Sequence, residues 1–220
     1  MRLQNYIFAP NIKTCYSLKN IKNIIFDLGG VIINIYPHKT YEAFNMPAND
    51  SAKMSVYLHD LFHQLEIGAI DTTDFITEAK KEWELPLTKQ EICDGLNAML
   101  GDIPSERIRA IENVKGKYNI FLLSNTNAIH YEGVMSRLEY STQWTSFEHL
   151  FHKTYYSHLV GLRKPDPAIY QLVLDENELV PDETLFLDDL GENLKSAQSL
   201  GIRTIKVSER NSIVDILNDF

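Results

Sequence analysis

The sequence predicts an α/β fold, in which a doubly wound, Rossmann-like parallel sheet carries a small helical bundle inserted after its first strand. Five short apolar segments have the composition of buried parallel strands. Helical patterns separate the later segments, which is typical of right-handed βαβ crossovers. The interval between the first two segments is far longer than one crossover needs. A core of this kind, with one insertion, fits a chain of 220 residues.

The elements of the predicted core have clear start and stop signals. Prolines within a first helical turn cost no hydrogen bond, and a glycine after the last turn ends a helix. The predicted strands are Asn23–Phe26, Ile120–Leu123, Lys153–Tyr156, Leu185–Leu187 and Thr204–Val207. The first predicted helix of the core is Ala168–Glu176, which follows Pro165-Asp166-Pro167. The second is Asn193–Leu200, which ends before Gly201. The last begins after a cap at Asn211 or Ser212 and ends near Asn218.

Within the long interval from Asp27 to Ser124, the sequence has helical patterns between about His38 and Asp102, and these predict the inserted bundle. Met54, Leu58, Leu61, Phe62 and Leu65 recur at a three-to-four spacing, which predicts one buried helix face. The predicted helices are Thr40–Phe44, Ala52–Leu65, Thr72–Trp83 and Thr88–Leu100. The predicted organisation is an N-terminal extension over 1–20, a core over 21–37 and 103–220, and a helical cap over 38–102.

Composition restricts the function classes. The formal net charge is −9 and the pI is about 5.2, so no basic stripe is available and nucleic acid is not an expected partner. No apolar run reaches the length of a membrane span, and the first twenty residues lack the apolar run of a signal peptide. Cys15 and Cys93 have no metal-ligand spacing. We expect a cytoplasmic protein without a membrane partner.

The first candidate site residue is Asp27, at the end of the run Ile24-Ile25-Phe26-Asp27-Leu28-Gly29-Gly30-Val31. The carboxyl ends of the strands are where open α/β sheets bind ligands. A carboxylate there is costly to desolvate unless a metal or a reaction needs it. The alternative is an aspartate that opens a turn or caps a helix.

Three further motifs follow later predicted strands. Ser124-Asn125-Thr126 offers a hydroxyl and backbone amides to phosphate oxygens, or is an ordinary helix cap. Lys164 is held between Gly161 and Pro165, where a solvated surface lysine is the alternative. The adjacent carboxylates Asp188 and Asp189 indicate a hard cation such as Mg²⁺, although a helix N-terminus also favours them.

Taken together and in this order, the four motifs resemble the signature of the haloacid dehalogenase-like superfamily, whose members are mostly phosphatases. The resemblance covers about Ile21 to Val207, and the helical insertion matches the position of the family's C1 cap. The stretch at 68–70 with Phe75, and the stretch Leu187–Lys195, are similar to the branch of sugar phosphatases and of the N-terminal phosphatase of epoxide hydrolase.

The resemblance implies a Mg²⁺-dependent phosphatase for a small soluble phosphorylated metabolite, such as a sugar phosphate. Asp27 would be the nucleophile and would form an aspartyl-phosphate. Lys164 would balance charge in the catalytic site. The implied phosphate-binding residues are Gly29, Gly30, Ser124 and Asn125. The implied metal ligands are Asp27, the backbone carbonyl of Gly29 and Asp189. Asp188 would be a further metal ligand or a partner of one.

The sequence departs from the family pattern at Gly29, where most family phosphatases have a second aspartate that acts as general acid and base. Such a group contributes about 10²–10⁴-fold to the rate. We therefore expect slow turnover of alkyl phosphates and a preference for good leaving groups. His38, near the junction of core and cap, is a candidate replacement, with a solvated linker histidine as the alternative. The other histidines have no recognisable spacing.

Two other functions stay open at this point. Dehalogenases and phosphonatases also lack the second aspartate, but the pair Asp188-Asp189 argues against a metal-free dehalogenase. A phosphonatase would need a lysine in the cap, for which Lys53 is a candidate by position only. The remaining alternative is a non-catalytic protein that binds a phosphorylated ligand.

Overall fold

A computed structural model describes residues 20–44, 56–83, 86–218 and 220. Its centre is a five-stranded parallel sheet with the strand order β3-β2-β1-β4-β5. The doubly wound parallel sheet predicted from the sequence is thereby confirmed. The strands are β1 (Asn23–Phe26), β2 (Asn119–Ser124), β3 (Lys153–Tyr156), β4 (Thr184–Asp188) and β5 (Arg203–Lys206).

Helices cover both faces of this sheet and fill the insertion after β1. Those of the insertion are α1 (Pro37–Ala43), α2 (Val56–Glu66), α3 (Thr72–Trp83) and α4 (Lys89–Asn97). Those that follow are α5 (Ser105–Lys115), α6 (Ala128–Thr142), α7 (Ser157–Val160), α8 (Pro167–Glu176), α9 (Gly191–Ser199) and α10 (Ile213–Leu217). No helix within the described ranges is long and apolar enough to cross a membrane.

Alternate residues of the strands pack on opposite faces of the sheet. Ile24 and Phe26 of β1 lie in a buried cluster with α5, α6 and α10, whereas Ile25 packs with α8 and α9. In the register, Phe26 is paired with Leu122 of β2 and with Leu187 of β4. Because all strands are parallel, the residues that follow these positions meet at one edge of the sheet.

The inserted helices form an apolar cluster of their own, which includes Leu61, Leu65 and Phe75. Ile129 of α6 belongs to the same cluster, so the insertion packs against the helix that follows β2. Arg137 of α6 strengthens this contact, since its guanidinium donates hydrogen bonds to the carbonyls of Asn97 and Leu100. The proposed boundaries of the extension, core and cap stay a prediction.

Among the described residues of the insertion, the largest differences from the predicted helix bounds are at the start of α1 and the end of α4. α1 begins at Pro37 rather than residue 40, because a proline fits the first helical position. α4 ends at Asn97 rather than residue 100, because Leu100 leaves the helix and forms an antiparallel bridge with Ile35. Residues 1–19, with Cys15, and residues 45–55, with Met54 and Lys53, lie outside the described residues, as does the side chain of Leu58.

Candidate active site

Asp27 and Lys164 form a buried ion pair at the carboxyl edge of the sheet. Asp27 follows β1 directly, and its backbone N–H donates to the carbonyl of Leu187 on β4. The Nζ of Lys164 lies 2.6 Å from Oδ1 of Asp27 and 2.9 Å from Oδ2 of Asp188, and it also donates to the carbonyl of Leu123 at 3.0 Å. An ammonium has three protons, and all three have acceptors here. The lysine is therefore fixed in a single orientation.

Asn125 holds the backbone of Lys164 in place. Its side-chain nitrogen donates to the carbonyl of Lys164, and the backbone N–H of Lys164 donates back to its side-chain oxygen, both at 2.8 Å. The side chain of Asn125 is thus engaged with the lysine, and its backbone amide is the group left for a phosphate. Ser124, at the end of β2, is buried at the same edge.

The acidic pair after β4 divides into a buried and a half-buried carboxylate. Asp188 accepts hydrogen bonds from the backbone N–H of Leu190 and from the side chain of Asn193, in addition to Lys164. Asp189 is half-buried and lies beside Gly30. If residue 30 had a methyl side chain, this group would lie 2.5 Å from Oδ2 of Asp189. Gly30 also has a φ of +70°, so both the backbone and the close approach require glycine.

The charges of this cluster do not balance. Carboxylate oxygens of Asp27, Asp188 and Asp189 lie within 4.8 Å of one another, and only the ammonium of Lys164 opposes them within the cluster. When all three carboxylates are ionised, two negative charges remain in excess. Oxygen ligands with this excess charge fit a divalent cation such as Mg²⁺, and Asp27 and Asp189 would be its side-chain ligands at this edge of the sheet.

The pKa values of Asp27 and Asp189 are raised, as the excess of negative charge in the site predicts. Burial, and to a smaller extent the neighbouring Asp188, raises the pKa of Asp27 to about 7, although Lys164 lowers it. Burial and Asp188 likewise raise the pKa of Asp189. Burial would lower the pKa of Lys164, but the two carboxylates outweigh this effect and raise it. Lys164 therefore stays charged, and a cation would favour the ionised form of Asp27.

Gly29 stands where most family phosphatases have the general acid, and the neighbouring side chain at this position is apolar. A methyl group at Gly29 would contact the side chain of Ile35 at 3.4 Å. His38 is exposed and contacts the ring of Tyr36, and it does not line the cavity over Asp27, so its position does not support the predicted acid role. Burial lowers the pKa of His130, which does line this cavity, to about 4, so it is neutral at neutral pH.

A cavity of about 560 Å³ covers the carboxyl edge of the sheet. Its floor comes from the core, and its opposite wall comes from the inserted helices. The core residues Asp27, Gly29, Gly30, Ser124, Asn125, Lys164 and Asp189 all line it, and the insertion contributes Thr40, Tyr41, His59, Phe62, His63, Glu66 and Leu96. Of the eight residues predicted for the catalytic, phosphate and metal sites, the structure therefore brings all except Asp188 to the surface of one cavity, and Asp188 lies directly behind Lys164.

Comparison with known proteins agrees with this geometry. Residues 21–201 match the family model described as haloacid dehalogenase-like hydrolase. The chain belongs to the haloacid dehalogenase-like hydrolases. It is similar to a D-ribitol-5-phosphate phosphatase of Bacteroides thetaiotaomicron, with 28% identity over 90% of this chain and 99% of the relative. It is also similar to a sesquiterpene phosphatase of Aspergillus oryzae, with 26% identity over 82% of this chain and 87% of the relative.

Among solved structures, the chain is similar to a haloacid dehalogenase family enzyme from Bacteroides thetaiotaomicron in complex with magnesium and inorganic phosphate. The identity is 33%, the TM-score is 0.77, and the match covers 86% of this chain and 94% of the other. The enzyme class predicted from the sequence, a phosphoric monoester hydrolase of this family, is confirmed. The phosphonatase alternative depends on Lys53, which lies outside the described residues.

Proposed function

We propose that this hydrolase releases phosphate from a small soluble phosphate ester of the sugar-phosphate class, in a Mg²⁺-dependent reaction with an aspartyl-phosphate intermediate. The observation that carries the proposal is the unbalanced cluster of three carboxylates around one buried lysine on the floor of a cavity. The names of the relatives support a phosphorylated substrate, and ribitol-5-phosphate, the substrate named for one of them, is an acyclic sugar alcohol phosphate.

The first half of the proposed reaction transfers the phosphoryl group to Asp27. A carboxylate oxygen of Asp27 attacks phosphorus, an O–P bond forms, and the bond to the leaving alcohol oxygen breaks in line with it. Lys164 and the N–H groups after Asp27 stabilise charge on the phosphoryl oxygens. Asp27, the Gly29 carbonyl and Asp189 would hold the cation, which supplies positive charge to those oxygens when it is bound.

The second half restores the carboxylate. A water molecule attacks phosphorus, the O–P bond to Asp27 breaks, and inorganic phosphate leaves while a proton of the attacking water passes to phosphate or to bulk water. Asp188 would act mainly by holding Lys164, because its two oxygens already accept four hydrogen bonds from Lys164, Leu190 and Asn193. Since an apolar contact occupies the side of Gly29, the leaving oxygen takes its proton from water or departs as a good leaving group.

The test measures phosphate release from a panel of aryl, sugar-1- and sugar-6-phosphates, with Mg²⁺ or with a chelator. Asp27→Asn is the catalytic control, and Asp60→Asn on the exposed side of α2 is the matched control for loss of one negative charge. We expect release that needs both Mg²⁺ and Asp27 and that is faster for better leaving groups. Ligand binding without release would instead favour a non-catalytic protein.

A further inference from the structure

The cavity over the catalytic carboxylates contains a second charged pair, which joins the insertion to the core. Glu66, the last residue of α2, lies with its Oε2 2.9 Å from Nε of Arg163, the residue before Lys164. The two side chains keep exposed fractions of 25% and 29%, and both line the cavity that holds Asp27. Because the pair is neither fully buried nor fully solvated, a ligand in the cavity can reach it.

The same cavity is lined by two histidines beside this pair. His59, His63 and Glu66 follow one another at intervals of four and three residues, so they share one face of α2. All three line the cavity. Over this interval a helix rises about 10 Å, which gives a polar strip of that length along the cavity side of α2.

The polar strip belongs to a cavity whose lining is otherwise largely apolar. Ile33, Ile35, Leu96, Met99, Leu100 and Val134 supply apolar side chains, and polar lining residues outside the strip include Thr40, Tyr41 and His130. In a largely apolar pocket, a few convergent polar groups fix the orientation of a ligand and provide specificity. Burial raises the pKa of Glu66 in spite of Arg163, which means that its carboxylate is poorly solvated. A hydroxyl donor from a ligand would replace some of that lost hydration.

We propose that Glu66 and Arg163, flanked by His59 and His63, recognise the hydroxyl groups of the substrate's carbon skeleton and so select a polyol or sugar phosphate over a phosphate with an apolar skeleton. A carboxylate has two acceptor oxygens and a guanidinium has five N–H donors, so the pair keeps hydrogen-bonding capacity beyond its own contact. The inference rests on the proposed function, because the phosphoryl group must lie at Asp27 for its skeleton to extend along α2.

The experiment compares kcat/KM for three phosphates: ribitol-5-phosphate, pentyl phosphate, which has the same carbon count without hydroxyls, and an aryl phosphate. The variants are Glu66→Gln and Arg163→Gln, with Asp60→Asn as the matched control on α2. We expect wild-type protein to prefer the polyol over the alkyl phosphate, since both have similar alcohol leaving groups. Glu66→Gln should lower that preference by about 10- to 100-fold, mainly through KM, as loss of a hydrogen bond to a charged group predicts.

The outcomes separate this inference from the proposed function. Hydrolysis of the aryl phosphate without any wild-type preference for the polyol would overturn the inference alone. An unchanged preference in both Glu66→Gln and Arg163→Gln would overturn it as well. No release from any of the three phosphates would overturn the proposed function and the inference with it. The wild-type comparison does not depend on whether the variants fold.

Discussion

Replacing Asp27 by asparagine is expected to stabilise the metal-free protein while it abolishes phosphate release. Ionised Asp27 lies beside Asp188 and Asp189 in a site with an excess of negative charge, and its pKa is raised from 3.8 to about 7. A raised carboxyl pKa means that the folded protein holds a proton that the unfolded chain has already lost. The native state is therefore penalised when that proton leaves, and asparagine removes the penalty.

The magnitude follows from the size of the shift. A shift of about three units corresponds to about 4 kcal/mol, which is the upper limit of the gain. The asparagine side chain places N–H donors where one carboxylate oxygen lay, and we expect this change to cost about 1–3 kcal/mol at any pH. The expected net increase in the free energy of unfolding is therefore about 1–3 kcal/mol at pH above 7. Below about pH 4 the charge penalty is absent and only the cost remains, so the variant should be about 1–3 kcal/mol less stable than wild type there, with the sign of the difference changing between these limits.

The assay is urea unfolding in the presence of a chelator, across pH, for wild type, Asp27→Asn and the exposed control Asp60→Asn. The free energy of unfolding of Asp60→Asn should follow that of wild type at every pH, whereas that of Asp27→Asn should rise relative to wild type as pH rises. Added Mg²⁺ should then stabilise wild type more than Asp27→Asn, because the metal binds the native carboxylates. A variant that is less stable than wild type at every pH, or a difference that does not change with pH, would refute the reasoning.

Two further substitutions test other parts of the site. Lys164→Met removes the counter-charge of Asp27 and Asp188, and should lower the free energy of unfolding by about 3–5 kcal/mol and phosphate release by at least about 10²-fold. Unchanged stability in urea would speak against the ion pair. Gly30→Ala should displace Asp189 and weaken Mg²⁺ binding about 10- to 100-fold by calorimetry, because glycine's φ is +70° and a methyl group would lie 2.5 Å from Oδ2. Gly116→Ala, which meets no atom within 4 Å, is the control and should bind Mg²⁺ as wild type does.

The sheet could be predicted because its signals are local. Asn23–Phe26 and Lys153–Tyr156 have the bounds read from the sequence, since each is a short run with a clear boundary. The edge that collects Asp27, Ser124 and Asp188 follows from parallel strands alone. The same argument explains why the candidate residues could be found before their distances were known.

The parts that could not be predicted depend on contacts between distant positions. The reciprocal hydrogen bonds of Asn125 with the backbone of Lys164, and the ion pair of Glu66 with Arg163, join residues that no local pattern relates. The end of α4 depends in the same way on the bridge between Leu100 and Ile35. Asn193 lies within the stretch that resembles the family. Its hydrogen bonds to Asp188 could not be predicted, because they depend on how the chain turns from β4 into α9.

The central claim is that phosphate passes through Asp27, and trapping this intermediate tests it most directly. Turnover of an aryl phosphate is stopped by denaturation, and borohydride then reduces an aspartyl-phosphate to homoserine. Mass spectrometry of the peptides locates the change. The account predicts homoserine at position 27 in the presence of Mg²⁺ and substrate, and none in Lys164→Met or without Mg²⁺. Phosphate release without a change at position 27, or phosphate found on Ser124, would contradict it.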